Sequence, residues 1–155
     1  MGAAKTRVRV GVILIDDGRV LVVRMHRDTG DIYVLPGGGL DHGENIMECA
    51  VREAREEANV DINVERILYL KELFTDTEHG LEIDFLGSIV GGSVRKGFDP
   101  EEKGKNVLKE VVWVPLGALP TMNFHPKQLR ERLARDVIVG FKDCPVYLGR
   151  HQYPE

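Results

Sequence analysis

The reading of this chain turns on Gly38-Gly39-Leu40-Asp41-His42-Gly43-Glu44-Asn45-Ile46-Met47-Glu48-Cys49-Ala50-Val51-Arg52-Glu53-Ala54-Arg55-Glu56-Glu57-Ala58-Asn59-Val60. From about Asn45 to about Ala58 the apolar residues recur with a helical period. With Ile46 at zero on a wheel of about 100° per residue, Ile46, Met47, Ala50, Val51, Ala54 and Ala58 fill an arc of about 140°, which predicts the core face. Glu53, Glu56 and Glu57 stand at i, i+3 and i+4, so they project from one side of this helix, beside the apolar arc rather than opposite it.

Like charges at that spacing repel by a few tenths of a kcal/mol per pair. The plain alternative is a solvated acidic face with Arg52 and Arg55 as ion-pair partners. A cluster of hard oxygen ligands is, however, what Mg²⁺ or Mn²⁺ requires. The approach to the helix fits that use. Pro36-Gly37-Gly38-Gly39 breaks the preceding apolar run, and glycine lets a backbone come close to a ligand and turn a carbonyl inward.

The stretch resembles the Nudix box, G-x5-E-x7-R-E-U-x-E-E-x-G-U with U a bulky aliphatic residue. Gly38, Glu44, Arg52, Glu53, Glu56, Glu57 and Val60 match it. Six fixed residue types in one register arise by chance at about one in 10⁷ per start position. The box glycine is replaced by Asn59, just past the helix end, where a left-handed residue is expected and Asn is the next best choice. Ala54 stands at the first aliphatic position, a matter of packing only. Leu35 to Gly39 also resembles the family's approach to the box, and Val112-Trp113-Val114-Pro115-Leu116 its later strand.

In the flanking sequence, Arg7 to Ile15 reads as a buried strand, Asp16-Asp17-Gly18 as a hairpin turn and Val20 to Met25 as the returning strand. His26 to Asp31 reads as a polar connection, followed by a short apolar run, Ile32 to Leu35. Ile67 to Phe74, Leu81 to Val90 and Val111 to Val114 read as further strands, with Thr75 to Gly80 as a turn and Arg95 to Lys105 as a charged loop. Pro126 to Val139 reads as a second amphipathic helix with Leu129, Leu133, Val137 and Ile138 as its apolar set. Strands with two separated helices predict a sheet covered on both faces. The resemblance implies an α/β Nudix fold, a mixed β-sheet sandwiched between helices. A single domain is expected, with its core at about 7–138 and a C-terminal tail at about 139–155.

At 155 residues, 43% apolar and 30% charged, the chain has the size and composition of one globular domain. A net charge of -4 argues against a dedicated nucleic-acid binder, which needs a basic face, but not against a phosphorylated small molecule held through cations. No apolar run approaches the roughly 18 residues that would span a bilayer, and Met1 to Lys5 lack a signal-peptide stretch. Two cysteines, Cys49 and Cys144, make no metal cluster, and the expectation is a reduced, cytoplasmic protein.

The resemblance implies a metal-dependent hydrolase that cleaves a phosphoanhydride bond in a nucleoside diphosphate linked to another group, with Mg²⁺ or Mn²⁺ as cofactor. Its partner is that small molecule, without nucleic acid or membrane, and a homodimer is compatible with it. By position, Glu56, Glu57 and the Gly37 carbonyl are metal ligands, and Glu53 is a ligand or the general base. Arg52 orients a box glutamate, and Glu44 meets that arginine or metal-bound water. Arg24 and Arg27 are candidates for phosphate, Tyr33 and Phe124 for stacking on a base. Asp99, Glu101, Glu102 and Glu110 are candidates for a further carboxylate, the loop positions Glu101 and Glu102 first. His26, His42 and His125 rank below these, Trp113 reads as core and Cys49 as an inert thiol.

Two rivals stand beside this reading. A non-catalytic Nudix-fold sensor typically lacks some box carboxylates, and this chain keeps all of them. A prenyl-diphosphate isomerase calls for a catalytic cysteine in its own motif, which Cys49 does not supply. Subfamily markers about 15 to 18 positions past the box, proline for ADP-ribose enzymes and tyrosine for dinucleoside polyphosphate enzymes, are absent. Thr75, Asp76, Thr77 and Glu78 stand there, so nucleoside triphosphates, nucleotide sugars and ADP-ribose all stay open.

Overall fold

The computed structural model describes residues 5–95 and 109–152. Strand β1, Lys5–Asp16, runs through the centre of the molecule, and its Val10 to Leu14 stretch is buried on both faces. That double burial explains an unbroken apolar run where a half-exposed strand would alternate. Asp17 and Gly18 adopt φ of 50° and 70°, both left-handed, as a two-residue hairpin requires. The hairpin returns into β2, Arg19–Arg27.

The polar stretch His26 to Asp31 is not a loose connection. It holds the end of β2 and the start of β3, Gly30–Val34, with Arg27 paired to Gly30. Both strands are partly exposed there, so no apolar alternation marks them. The glycines that interrupt the sequence pattern also form a strand, β4, Gly37–Gly39, which pairs antiparallel with Arg9 to Gly11. A Cβ at Gly37 would lie 2.2 Å from the Val10 carbonyl oxygen, so only glycine fits this pairing.

Helix α1, Ile46–Ala58, starts at Asn45, whose side chain accepts from the Glu48 N–H at 2.8 Å. Its buried face comprises Cys49, Ala50, Glu53, Ala54, Glu57 and Ala58. Met47 and Val51, predicted for the core face, are 52% and 41% exposed. The buried arc is therefore rotated by about 40° toward the carboxylates.

After α1 come β5, Val60–Phe74, and β6, Glu78–Gly92, which pair antiparallel, with β6 running parallel to β1. Strand β5 begins earlier than its apolar run suggests, because Asp61, Asn63 and Glu65 alternate outward between Val60, Ile62 and Val64. Strand β7, Lys109–Pro115, pairs with β2 and leads through a 3₁₀ helix, Leu116–Thr121, to α2, Lys127–Ile138. The tail contributes β8, Val146–Gln152, parallel to β5.

The strand order is β3-β2-β1-β6-β5-β8, with β4 on β1 and β7 on β2. Val10, Val12 and Leu14 pack against α1, while Ile13, Leu68 and Tyr69 pack against α2. The mixed sheet between helices is thus the observed architecture. In α2, Leu129 and Leu133 are buried as expected, but Ile138 is 85% exposed. Asp136 turns inward instead, accepting from the Tyr69 hydroxyl at 2.6 Å and from Arg132 Nε at 2.7 Å. Trp113 is partly buried against the α1-side core. No helix among the described residues is long and apolar enough to cross a membrane.

Helix α1 ends at Asn59, left-handed at φ 58°, whose N–H closes the last turn and whose Nδ2 donates to the Ser93 carbonyl at 3.0 Å. Asn59→Gly relieves a left-handed residue but removes this tie to the end of β6. The two effects, each about 1 kcal/mol, oppose, so Asn59→Gly is expected within about 0.5 kcal/mol of wild type in urea unfolding. Asn59→Ala keeps neither advantage and should cost about 1–2 kcal/mol. A loss beyond about 1.5 kcal/mol for Asn59→Gly would mean that the bond to Ser93 outweighs the relief of the left-handed backbone.

Candidate active site

The site is built where α1 meets the glycine strand. Val12 donates to Pro36 and Leu40 to Val8, both at 2.9 Å. This alternation turns the N–H and C=O of Gly37 and Gly39 away from β1. Helix α1 uses both positions: Gly37 N–H donates to Glu57 Oε1 at 3.0 Å, and Arg52 donates to the Gly39 carbonyl at 2.9 Å. The Glu53 carboxylate lies directly over Gly38, where a Cβ would come within 2.3 Å of its Cδ. The first glycine of the motif is therefore the space that Glu53 fills.

Arg52 joins the remaining box residues. It donates to both oxygens of Glu44, at 3.0 and 2.6 Å, to Glu53 at 2.8 Å and to Glu56 at 3.1 Å. Glu44 also accepts from the Asp41 N–H at 2.8 Å. The Arg52 hydrogen bonds hold the Glu44 carboxyl down at about 2. Burial acts oppositely on Glu57 and pushes it up to about 7, against the Gly37 N–H and the charges of Lys109 and Arg9. Lys109 Nζ stands 3.7 Å from Glu57. Cys49 is fully buried, and burial pushes its thiol up to about 12, which leaves it unreactive.

Among the described residues no three His, Cys, Asp or Glu side chains form a ready-made metal cage. Arg52 engages Glu53 and Glu56, and Gly37 engages Glu57. The donors nonetheless suit a hard dication. All are oxygens, Glu53 and Glu57 are 4% and 8% exposed, and the raised Glu57 pKa marks a buried negative charge that its neighbours do not fully offset.

The other candidates fall elsewhere. Arg24 is ion-paired with Glu110, which also lies 3.7 Å from His26, so Glu110 sits between two basic side chains. His26 contacts Asp31 at 2.6 Å, and His125 contacts Asn123 at 2.9 Å. His42 and Arg27 are exposed. Tyr33 packs against the α2-side core, and Phe124 is fully buried within it, a core residue rather than a stacking platform. Asp99, Glu101 and Glu102 lie outside the described residues.

Sequence reasoning missed a second charged group beside the box. Lys71 Nζ contacts Glu82 at 2.8 Å and Asp84 at 2.9 Å, all three buried, and Arg9 Nε contacts Glu82 at 3.5 Å. The available signal was Glu82 and Asp84 at alternate positions of an apolar strand, with Lys71 inside the apolar run of its neighbour.

Glu57→Gln removes the buried charge and keeps an oxygen that can accept from Gly37. The folded-state carboxyl titrates near 7 and an unfolded glutamate near ~4.3, so the metal-free protein loses stability as pH rises between them and does not regain it above. Metal-free Glu57→Gln is expected to melt higher than wild type at about pH 8 and equally at about pH 4, read by calorimetry with chelator. A lower melting temperature at the higher pH would mean that Lys109 and Arg9 outweigh burial.

The NUDIX domain model matches residues 5–135. An ADP-ribose pyrophosphatase of Methanocaldococcus jannaschii is 28% identical over 124 residues, 78% of this chain and 69% of that protein. A putative 8-oxo-dGTP diphosphatase of Bacillus subtilis is 31% identical over 139 residues, 85% of each chain. The chain spans 42% of the length of an NAD-capped RNA hydrolase of Pectobacterium carotovorum that it matches at 27% identity. A NUDIX hydrolase structure from Nitrosomonas europaea superposes with a TM-score of 0.70 at 21% identity, covering 88% of this chain and 90% of the other. With the box residues gathered around Arg52 and a family match across most of its length, this chain belongs to the NUDIX family.

Proposed function

We propose that this Nudix pyrophosphohydrolase acts with Mg²⁺ or Mn²⁺ on a nucleoside diphosphate linked to a further group. The observation that carries the reading is the pair of buried carboxylates, Glu53 and Glu57, laid against the glycine strand. Burying two anions is costly unless something compensates them. Glu53, Glu56, Glu57 and the Gly37 carbonyl would hold the metal. When bound, a dication neutralises the diphosphate and lowers the pKa of water.

The chain's own groups divide the remaining work. Arg52 fixes Glu44, Glu53 and Glu56 in one array and so orients the site. Its double contact to Glu44 keeps that carboxylate ionised and the loop before α1 in place. The proton of the attacking water passes to a carboxylate, either Glu53 or one of Glu101 and Glu102. Glu110 suits this less well, because Arg24 and His26 already flank it.

The relatives' names point to adenosine diphosphate derivatives and to oxidised nucleoside triphosphates. ADP-ribose, a dinucleotide such as NAD, and 8-oxo-dGTP therefore form the first panel, assayed with Mg²⁺ and with Mn²⁺. Turnover of at least one, with release of a nucleoside monophosphate, is expected. Glu56→Gln and Glu57→Gln should each lower it by at least ~10²-fold with the fold intact. Single Gln variants at Glu53, Glu101 and Glu102 locate the base as the one with kcat down ~10²-fold and KM little changed. Binding without cleavage across the whole panel would make the protein a sensor instead.

A further inference from the structure

We propose that Arg9, outside the box, is a phosphate-contacting residue of this site, held in place by the buried Lys71–Glu82–Asp84 cluster. The inference rests on the pyrophosphohydrolase reading above and adds a residue to it.

Arg9 stands opposite Gly39 in the pairing of β1 with β4, beside the strand that α1 touches through Glu57 and Arg52. Its neighbours Val10 and Val12 pack toward α1, so Arg9 and Gly11 face the other side of the sheet. The strand beside it, Gly37–Gly39, carries no side chains, and the charges of Glu57 and Glu53 on α1 act on the guanidinium. A diphosphate bound at the carboxylates through cations would thus meet Arg9 from the opposite flank. A planar guanidinium suits such an anion.

The support behind Arg9 is costly to build. Lys71 lies between Glu82 and Asp84, and the three are 2%, 7% and 0% exposed. Asp84 Oδ1 is buried without a hydrogen-bond partner, over Gly11, where a Cβ would lie 2.3 Å away. Apolar residues at these three positions would pack a sheet at lower cost. Of the four charged groups only Arg9, 40% exposed along its side chain, reaches solvent to any extent. Glu82 gives Oε2 to Lys71 and Oε1 to Arg9 Nε, so the buried pair fixes where the guanidinium points. The cluster holds two cations and two anions, and Arg9 is the member at its solvent edge.

The alternative is that Arg9 only offsets the repulsion among the box carboxylates, in which case its loss would alter metal affinity. Three measurements on the full chain separate the two. With Mg²⁺ and the substrate found in the panel, Arg9→Gln is expected to raise KM about tenfold or more with kcat within about threefold, and Arg9→Lys to recover part of that. Inorganic pyrophosphate titrated calorimetrically into the Mg²⁺-loaded protein should bind about tenfold more weakly to Arg9→Gln, a readout that needs no turnover. Mn²⁺ binding to the substrate-free protein, followed by electron paramagnetic resonance, should stay within about twofold. Unchanged KM and pyrophosphate affinity, or a parallel loss of Mn²⁺ affinity, overturns the proposal, as does a wild-type protein that binds no pyrophosphate. If Arg9→Gln does not fold, Arg9→Lys decides by the same three values. Arg9-dependent pyrophosphate binding in a protein that cleaves nothing in the panel would leave this contact standing and remove the hydrolase reading.

Discussion

Three consecutive glycines allow two glutamates to lie against a β-strand, and the arrangement of the site depends on that approach. Gly38 has no side chain because the Glu53 carboxylate fills its place, and Gly37 fits only because it can sit on the Val10 carbonyl. Once β4 pairs with β1, its register turns the polar groups of Gly37 and Gly39 outward. Glu57 and Arg52 then have partners that no side chain could supply. The helix is consequently rolled, so that carboxylates enter the buried arc and Met47 and Val51 leave it.

The electrostatics of α1 follow from this geometry. Glu44 and Glu57 are the same residue type within one motif, yet the first is held low by Arg52 and the second raised by burial. Arg52 neutralises the half of the array that faces the loop before the helix. Among the described residues nothing of equal strength does so for Glu57, and Lys109 stands 3.7 Å from it. The folded chain thus carries an uneven charge distribution, the kind of local cost that functional sites store, and the hard cation proposed above would even it out.

Much of this was legible in the sequence. The helical period, the Asp17-Gly18 turn and the Asn59 cap each follow from local chemistry, and the structure shows them where that chemistry places them. The strands at His26 to Asp31 and at Gly37 to Gly39 were not legible. The first lies partly exposed and needs no alternation, and the second is made of residues that usually signal a turn. Strand β8 was hidden because its partner among the described residues, β5, precedes it by more than seventy residues. The rotation of α1 was hidden for a different reason. Apolar periodicity ranks Met47 above Glu57 for the core, and only a tertiary partner such as the Gly37 N–H reverses that order.

The same limit explains why the box identifies a chemistry and not a substrate. Box residues contact one another and the backbone, so their pattern is fixed by the hydrolytic array itself. Groups that read the rest of a substrate must come from other strands, whose pairing the motif does not encode. The β5–β6 turn shows the point. Its marker window, Thr75 to Glu78, is flanked by such contacts: His79 stacks on Phe74 at 4.1 Å and meets Glu72 at 2.6 Å, while Arg150 of β8 covers Phe74 at 4.3 Å. A cation from β8 over an aromatic residue of β5 is a tertiary product, set by the parallel pairing of Leu73 with His151 and Phe74 with Gln152. Contacts outside the box are cross-strand juxtapositions of this kind, Arg9 with Glu82 among them, and a linear motif carries no record of them.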